Sequence, residues 1–444
     1  MITLVQDEKT GRRERRGADL NKLEPSDHPV HNWYRFVLSY PPHLVRQYLE
    51  KFEVGARDLV LDPFCGTGTT PVECKKLGIS SVGIEAHPMS HFASSTKVDW
   101  RENPDQVEHH AVALAGKVLA QLDRQGIIDD PQPNLIRETS PLPPLLSLPE
   151  EAHKLLLLNS ISPLPLHKTL ALLSEIDLCG TGRNYFRLAL AKSLVSSIGN
   201  LHFGPEVGVG PKKEDAPVVS TWLGNVLQMV GDLRGIKRHR NTSCLIHNAD
   251  SRQMQRLLKP SSVDAVITSP PYPNEKDYTR TTRLETVILG FASDKQQMRA
   301  LKRSMLRSNT RGVYKEDADD QWVKNHRGIQ TIAREIEDRR IQMGKTSGFE
   351  RLYARVTKLY FGGMARHLFE LRPFLRKGAR LAYVVGDQAS YLRVMIRTGT
   401  ILASIAEDLG YVVEDIHLFR TRLSTATRDQ LREEVVVLKW PGIK

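Results

Sequence analysis

Two short stretches concentrate the residues that could do chemistry. The first is Asp62-Pro63-Phe64-Cys65-Gly66-Thr67-Gly68-Thr69-Thr70; the second is Ser269-Pro270-Pro271-Tyr272. In the first, Gly66 and Gly68 permit a tight turn and close approach of backbone to a ligand. A helix starting just after them presents free N–H groups. Glu85 ends the next apolar run, and a carboxylate there can accept both hydroxyls of a ribose. The ligand expected is one that carries a nucleoside. Neither GxGxxG nor GxxxxGK[ST] is present, which disfavours nicotinamide cofactors and P-loop nucleotides. The plain alternative is a glycine turn that only joins a strand to a helix.

In the second stretch, two prolines fix φ and supply no N–H donor. The turn is stiff, and its carbonyls and the Ser269 side chain can be held outward beside the Tyr272 ring. That suits a planar group bearing an amine: the acceptors take the amine's protons and the ring stacks on its face. The alternative is a rigid Pro-Pro turn with a packing tyrosine. His87 and His91 stand four apart, but Pro88 lies between them and no HExxH pattern supports them, so no metal site is expected.

The elements that must position these residues have α/β texture. The strand-like DLVLDPF is followed by the glycine turn, the helical PVECKKLG and a second strand, SSVGIEA, which makes a βαβ unit. The texture returns with SCLIHNAD, ending in Asp250, and VDAVIT, leading into Ser269. A helix from about 352, the strand ARLAYVVGD, a helix over about 395–409 and the pair YVVEDIHLF and EEVVVLKW complete it; the pair reads as a hairpin at the end of the sheet. Residues 101–240 read as a helical insertion with Pro-rich connections, and GPEVGVGPKKEDAP within it as a loop. Residues 292–351 read as a second, highly charged helical insertion. Residues 1–30 read as a flexible arm with the basic cluster Arg12, Arg13, Arg15 and Arg16. The core is expected from 31–100, 241–291 and 352–444.

The chain has 444 residues, enough for about three domains by length alone. Its 63 basic and 51 acidic residues give a net charge of +12, which favours a polyanion such as nucleic acid. Cys65, Cys74, Cys179 and Cys244 are scattered, which disfavours a disulfide framework and a zinc ribbon and fits a reducing cytoplasm. Neither a secretory leader nor a membrane-spanning run is expected.

Taken together, DPFCGTGTT and SPPY, on separate α/β units and in this order, resemble the S-adenosylmethionine-dependent amino methyltransferases. That family methylates N4 of cytosine or N6 of adenine in DNA. SYPPHL (Ser39 to Leu44) resembles the family's upstream segment, which closes over the methionine end of the cofactor. SPPYPNEKDYTR, RLAYVVGDQ and LASIAEDLGY resemble its later elements. The resemblance covers about 31–100, 243–291 and 352–440, and neither insertion is part of it.

The resemblance implies a Rossmann-like, seven-stranded methyltransferase sheet interrupted by two mainly helical insertions. It implies S-adenosylmethionine as cofactor and double-stranded DNA as partner. A restriction-modification setting, with a cognate restriction endonuclease as a further partner, is expected too. Carried over residue by residue, it puts Tyr40 and Pro41 at the methionine end. Asp62, Phe64, Gly66 and Gly68 line the methionine and sugar side, Glu85 takes the ribose hydroxyls and Asp250 approaches the cofactor's adenine amine. Ser269, Pro270, Pro271 and Tyr272 hold the target base. Serine at the first position of that tetrad is more typical of the N4-cytosine enzymes. Adenine N6, guanine N2 in RNA and a non-catalytic DNA-binding subunit are the alternatives. One of the two insertions is expected to read DNA, and Lys302, Arg303, Arg307 and Arg311 are candidate phosphate contacts.

Overall fold

A computed structural model of the protein describes residues 20–35, 39–129, 143–204, 206–274, 276–423 and 429–442. The strands are β1 (Leu59–Asp62), β2 (Ser80–Glu85), β3 (Leu201–Phe203), β4 (Val207–Val209), β5 (Cys244–Asn248), β6 (Val263–Thr268), β7 (Leu375–Gly386), β8 (Val412–Leu423) and β9 (Gln430–Lys439). Seven of them form one sheet in the order β5-β2-β1-β6-β7-β9-β8. The first five pair in parallel, and β9 inserts antiparallel between β7 and β8. The expected terminal hairpin is therefore present, with its second strand on the inside. This is the seven-stranded Rossmann-like sheet, with strands β8 and β9 closing one edge.

The inner parallel strands β1, β2 and β6 are largely buried on both faces, as helical crossovers require, whereas the edge strand β5 leaves Leu245 exposed. Along β1 the side chains alternate: Val60 packs with Val45 and Tyr48 of the helix Pro42–Lys51, whereas Leu61 packs with Met364 and Leu368 on the other side. Strand order reverses between β1 and β6, whose register pairs Val60 with Ala265 and Leu61 with Val266. The loops after those two strands consequently open side by side, at the crevice where open α/β sheets hold ligands.

The first insertion does not stand apart. Its helices Pro104–Asp123, Pro163–Asp177, Arg183–Ser193 and Val218–Gly235 share one continuous apolar core with Val72, Met89 and Ala93 of the helices that follow β1 and β2. Asp129 caps the last of them, accepting from the backbone N–H groups of Val218, Val219 and Ser220 at 2.9–3.1 Å. The stretch read as a loop is corrected in part: Val207–Val209 is β4, antiparallel to β3. A Val-Gly-Val run offers period-two alternation with one buried side chain, and that suffices for a short ribbon once Val207 is covered.

The second insertion lies along the helix Tyr353–Leu371. A Cβ on Gly362 would come within 1.9 Å of the Asp319 carbonyl oxygen, and one on Gly363 within 2.3 Å of Leu306. Those glycines let the insertion's backbone settle directly on the helix. Of the segment expected as an arm, residues 1–19, with its arginine cluster, lie outside the described residues. Residues 20–30 form short helical turns with Asp27 and Val30 buried.

Candidate active site

The loops after β1 and β6 open into one cavity of about 620 Å³. Tyr40, Phe64, Gly66, Glu85, Asp250, Ser269, Pro270, Pro271 and Tyr272 all line it. Pro41, Asp62 and Gly68 do not line it; Asp62 stands behind its wall, bonded to Tyr40 and Phe64.

Gly66 and Gly68 both adopt positive φ, +50° and +88°. At Gly68 a Cβ would press to 3.0 Å from the Ser94 Cβ, so the helix Thr69–Lys76 can begin close against its neighbour. At Gly66 a Cβ would meet nothing within 4 Å, so bare backbone faces open space where a ligand can approach. Glu85 braces the turn: its carboxylate accepts from Gly66 N at 2.8 Å and from His87 N at 2.7 Å. Burial pushes this carboxyl up to about 7, against the pull of those N–H groups. Two backbone donors occupy about half of a carboxylate's acceptor capacity, which leaves room for ribose hydroxyls.

Asp62 joins three pieces of the site. One oxygen accepts from Phe64 N at 3.2 Å and from Thr268 Oγ1 at 2.6 Å; the other accepts from the Tyr40 hydroxyl at 3.1 Å. Tyr40 also bonds Thr70. Burial pushes Asp62 up to about 6, with the hydrogen bonds opposing. Lys97 is a residue that the sequence did not flag. Fully buried, it donates to the Thr67 carbonyl at 2.9 Å and the Tyr34 carbonyl at 3.0 Å, and desolvation lowers it to about 7. No local pattern marks it, because both of its acceptors are distant in sequence.

Asp250 reaches the cavity wall, but Arg252 Nε and Nη2 hold its carboxylate at 2.7–3.1 Å and its own loop N–H takes a further site. Arg252 in turn pairs with Asp319. An adenine amine would have to share these oxygens with a guanidinium. His87 and His91 turn to different partners: Thr282 Oγ1 at 3.1 Å and the Ile246 carbonyl at 3.2 Å.

At the other end, Ser269 Oγ lies 3.3 Å from the Val384 carbonyl and 3.4 Å from the Tyr272 hydroxyl. The carbonyl can only accept, so the serine O–H points there and its lone pairs stay available. The Tyr272 ring rests on Gly386, where a Cβ would stand 2.8 Å from two ring carbons. The rim comes from residues that the sequence could not place: Glu206 of the first insertion, Ser304–Leu306 of the second, and Arg420, Arg422 and Glu433 of the terminal hairpin. Arg420 grips Glu433 through two bonds of 2.6 and 2.9 Å.

Of the candidate phosphate contacts, Arg307 is 5% exposed and locked to Asp317 at 2.8 Å, and Lys302 pairs with Asp277 at 3.0 Å. Arg303 and Arg311 are the exposed pair, near Glu316 and Glu206 at 3.8 and 3.5 Å. Among the described residues, no helix is long and apolar enough to cross a membrane.

A family profile described as DNA methylase matches residues 9–92. The Type II methyltransferase M.BsoBI of Geobacillus stearothermophilus is 25% identical over 99% of this chain and 90% of its own length. The Type II methyltransferase M.AvaI of a Nostoc species is 24% identical, over 93% and 87%. M.MjaII of Methanocaldococcus jannaschii, also a Type II methyltransferase, is 36% identical over a shorter stretch, 18% of this chain and 14% of its own. The likeness to the first two spans both loops and both insertions, and with the loops after β1 and β6 lining one cavity, the chain is similar to Type II DNA methyltransferases over nearly its whole length.

Proposed function

We propose that the protein methylates the exocyclic N4 amine of cytosine in duplex DNA, with S-adenosylmethionine as donor. The observation that carries this reading is the single cavity that holds the Gly66 turn, Glu85 and the SPPY turn together. The residues present fit the cofactor: bare backbone at Gly66, a carboxylate with spare acceptor sites at Glu85, and Tyr40 and Phe64 lining the same cavity. When bound, the cofactor supplies an electrophilic sulfonium methyl.

An exocyclic amine is a weak nucleophile because its lone pair is delocalised into the ring. Ser269 Oγ and the Pro270 carbonyl accept hydrogen bonds from its two N–H groups, which draws the nitrogen toward sp³ and frees the lone pair; once methylated, the nitrogen gives up one proton to solvent. Tyr272 stacks on the base and holds it in place once it has left the helix. No nucleophilic side chain is needed; positioning and electrostatics supply the catalysis. Serine at position 269, uncharged where an aspartate would be anionic, supports cytosine over adenine. A restriction-modification setting with a cognate restriction endonuclease, and a cytoplasmic location, belong to the same proposal.

Base-resolved sequencing of DNA from cells with and without the gene tests it. N4-methylcytosine in one sequence context, present only with the gene, is expected. N6-methyladenine instead would overturn the cytosine assignment, and methylated RNA with unmodified DNA would overturn the substrate.

A further inference from the structure

The β3–β4 ribbon belongs by sequence to the first insertion, yet its turn is fastened at the mouth of the base pocket. Lys276, five residues beyond Pro271, donates to the Gly204 carbonyl at 2.9 Å, and Arg280 donates to the Val207 carbonyl at 3.4 Å. Arg311, from the second insertion, stands 3.5 Å from the Glu206 carboxylate. Three basic side chains from two other parts of the chain thus hold one short turn. Glu206 lines the same cavity as Ser269, Pro270, Pro271 and Tyr272, with its side chain 59% exposed.

A two-stranded antiparallel ribbon is one of the shapes that the major groove of B-DNA admits. The ribbon has outward side chains to present: His202 and Val209 are exposed on it, while Val207 is buried and anchors it. A carboxylate is repelled by phosphates, so at a DNA-facing mouth its favourable partners are base amines, which donate to Asp and Glu. The Arg311 pair does not forbid this. Both partners are largely solvated, and such a pair is worth little, so Arg311 orients Glu206 and gives it up cheaply.

We propose that the β3–β4 ribbon reads DNA beside the extruded base, and that Glu206 accepts a hydrogen bond from the exocyclic amine of a neighbouring base. This rests on the functional reading above and adds to it the element that sets sequence preference. It assigns recognition to the first insertion, while the second contributes Arg311, which orients Glu206.

The test uses the full chain, a randomised duplex library and base-resolved sequencing of methyl marks, for the wild type, Glu206→Ala and Glu206→Gln. Melting temperature and S-adenosylhomocysteine affinity are measured alongside. Discrimination at one base pair adjacent to the target is expected to fall roughly tenfold or more in Glu206→Ala. Glu206→Gln, which keeps an acceptor, should retain more of it. Other positions, folding and cofactor affinity should hold. Unchanged preference at every position would overturn the proposal. So would a uniform loss of activity without a change in preference, since that is the mark of a sequence-blind contact. A wild type that methylates no duplex would fail the functional reading itself, whereas a methylating wild type with fully discriminating variants would fail the ribbon alone.

Discussion

Gly386 has no side chain, and the Tyr272 ring occupies the space where one would be. If the ring's position is what matters, Gly386→Ala should lower kcat for methyl transfer at least tenfold by displacing Tyr272, with cofactor affinity unchanged. Tyr272→Ala should lose most activity while still binding cofactor. The double variant should be little worse than Tyr272→Ala, because Gly386 acts through the ring; fully additive losses in single-turnover kinetics would separate the two residues. Glu85 gives a pH prediction. Burial raises its carboxyl to about 7, and ribose hydroxyls donate best to the ionised form. S-adenosylhomocysteine should therefore bind more weakly as pH falls from about 8 to 6, by roughly tenfold if only the carboxylate binds. Calorimetry should show that slope flattened in Glu85→Gln.

At the scale of elements, the helix Tyr353–Leu371 carries the second insertion on two glycines. Gly362→Ala drives a methyl into the Asp319 backbone, which cannot swing away as a side-chain tip could. A loss of about 1–3 kcal/mol is expected in denaturant melts, the usual cost of overpacking. Much of this level could be read directly. The strand-turn-helix around Gly66 is local, since an apolar run, two glycines and a helical stretch specify one another within twenty residues. The β3–β4 ribbon was hidden because its strands are short and glycine-rich, and what stabilises them is Lys276 and Arg280, some seventy residues downstream.

Across the whole molecule, a net charge of +12 predicts DNA binding that weakens steeply with salt. The count alone overstates the useful charge, because several cations serve the fold. Arg307 lies between Asp317 and the carbonyls of Lys302, Arg303 and Met305. Arg307→Ala should leave the salt slope of DNA affinity unchanged in filter-binding titrations. It should cost about 3 kcal/mol or more of stability, since Asp317 would be left largely buried without its partner.

The sequence alone determined the two chemical loops, the strands that present them and the succession of the main strands and helices along the chain, because those depend on residue types at short, fixed spacings. Only the tertiary structure decided that the loops share one cavity, that Asp62 and Lys97 stand behind its wall, that Asp250 is engaged by Arg252, and that both insertions reach the pocket mouth. Each of these is a pairing of side chains set by packing and desolvation, and such pairings leave no periodic trace along the chain.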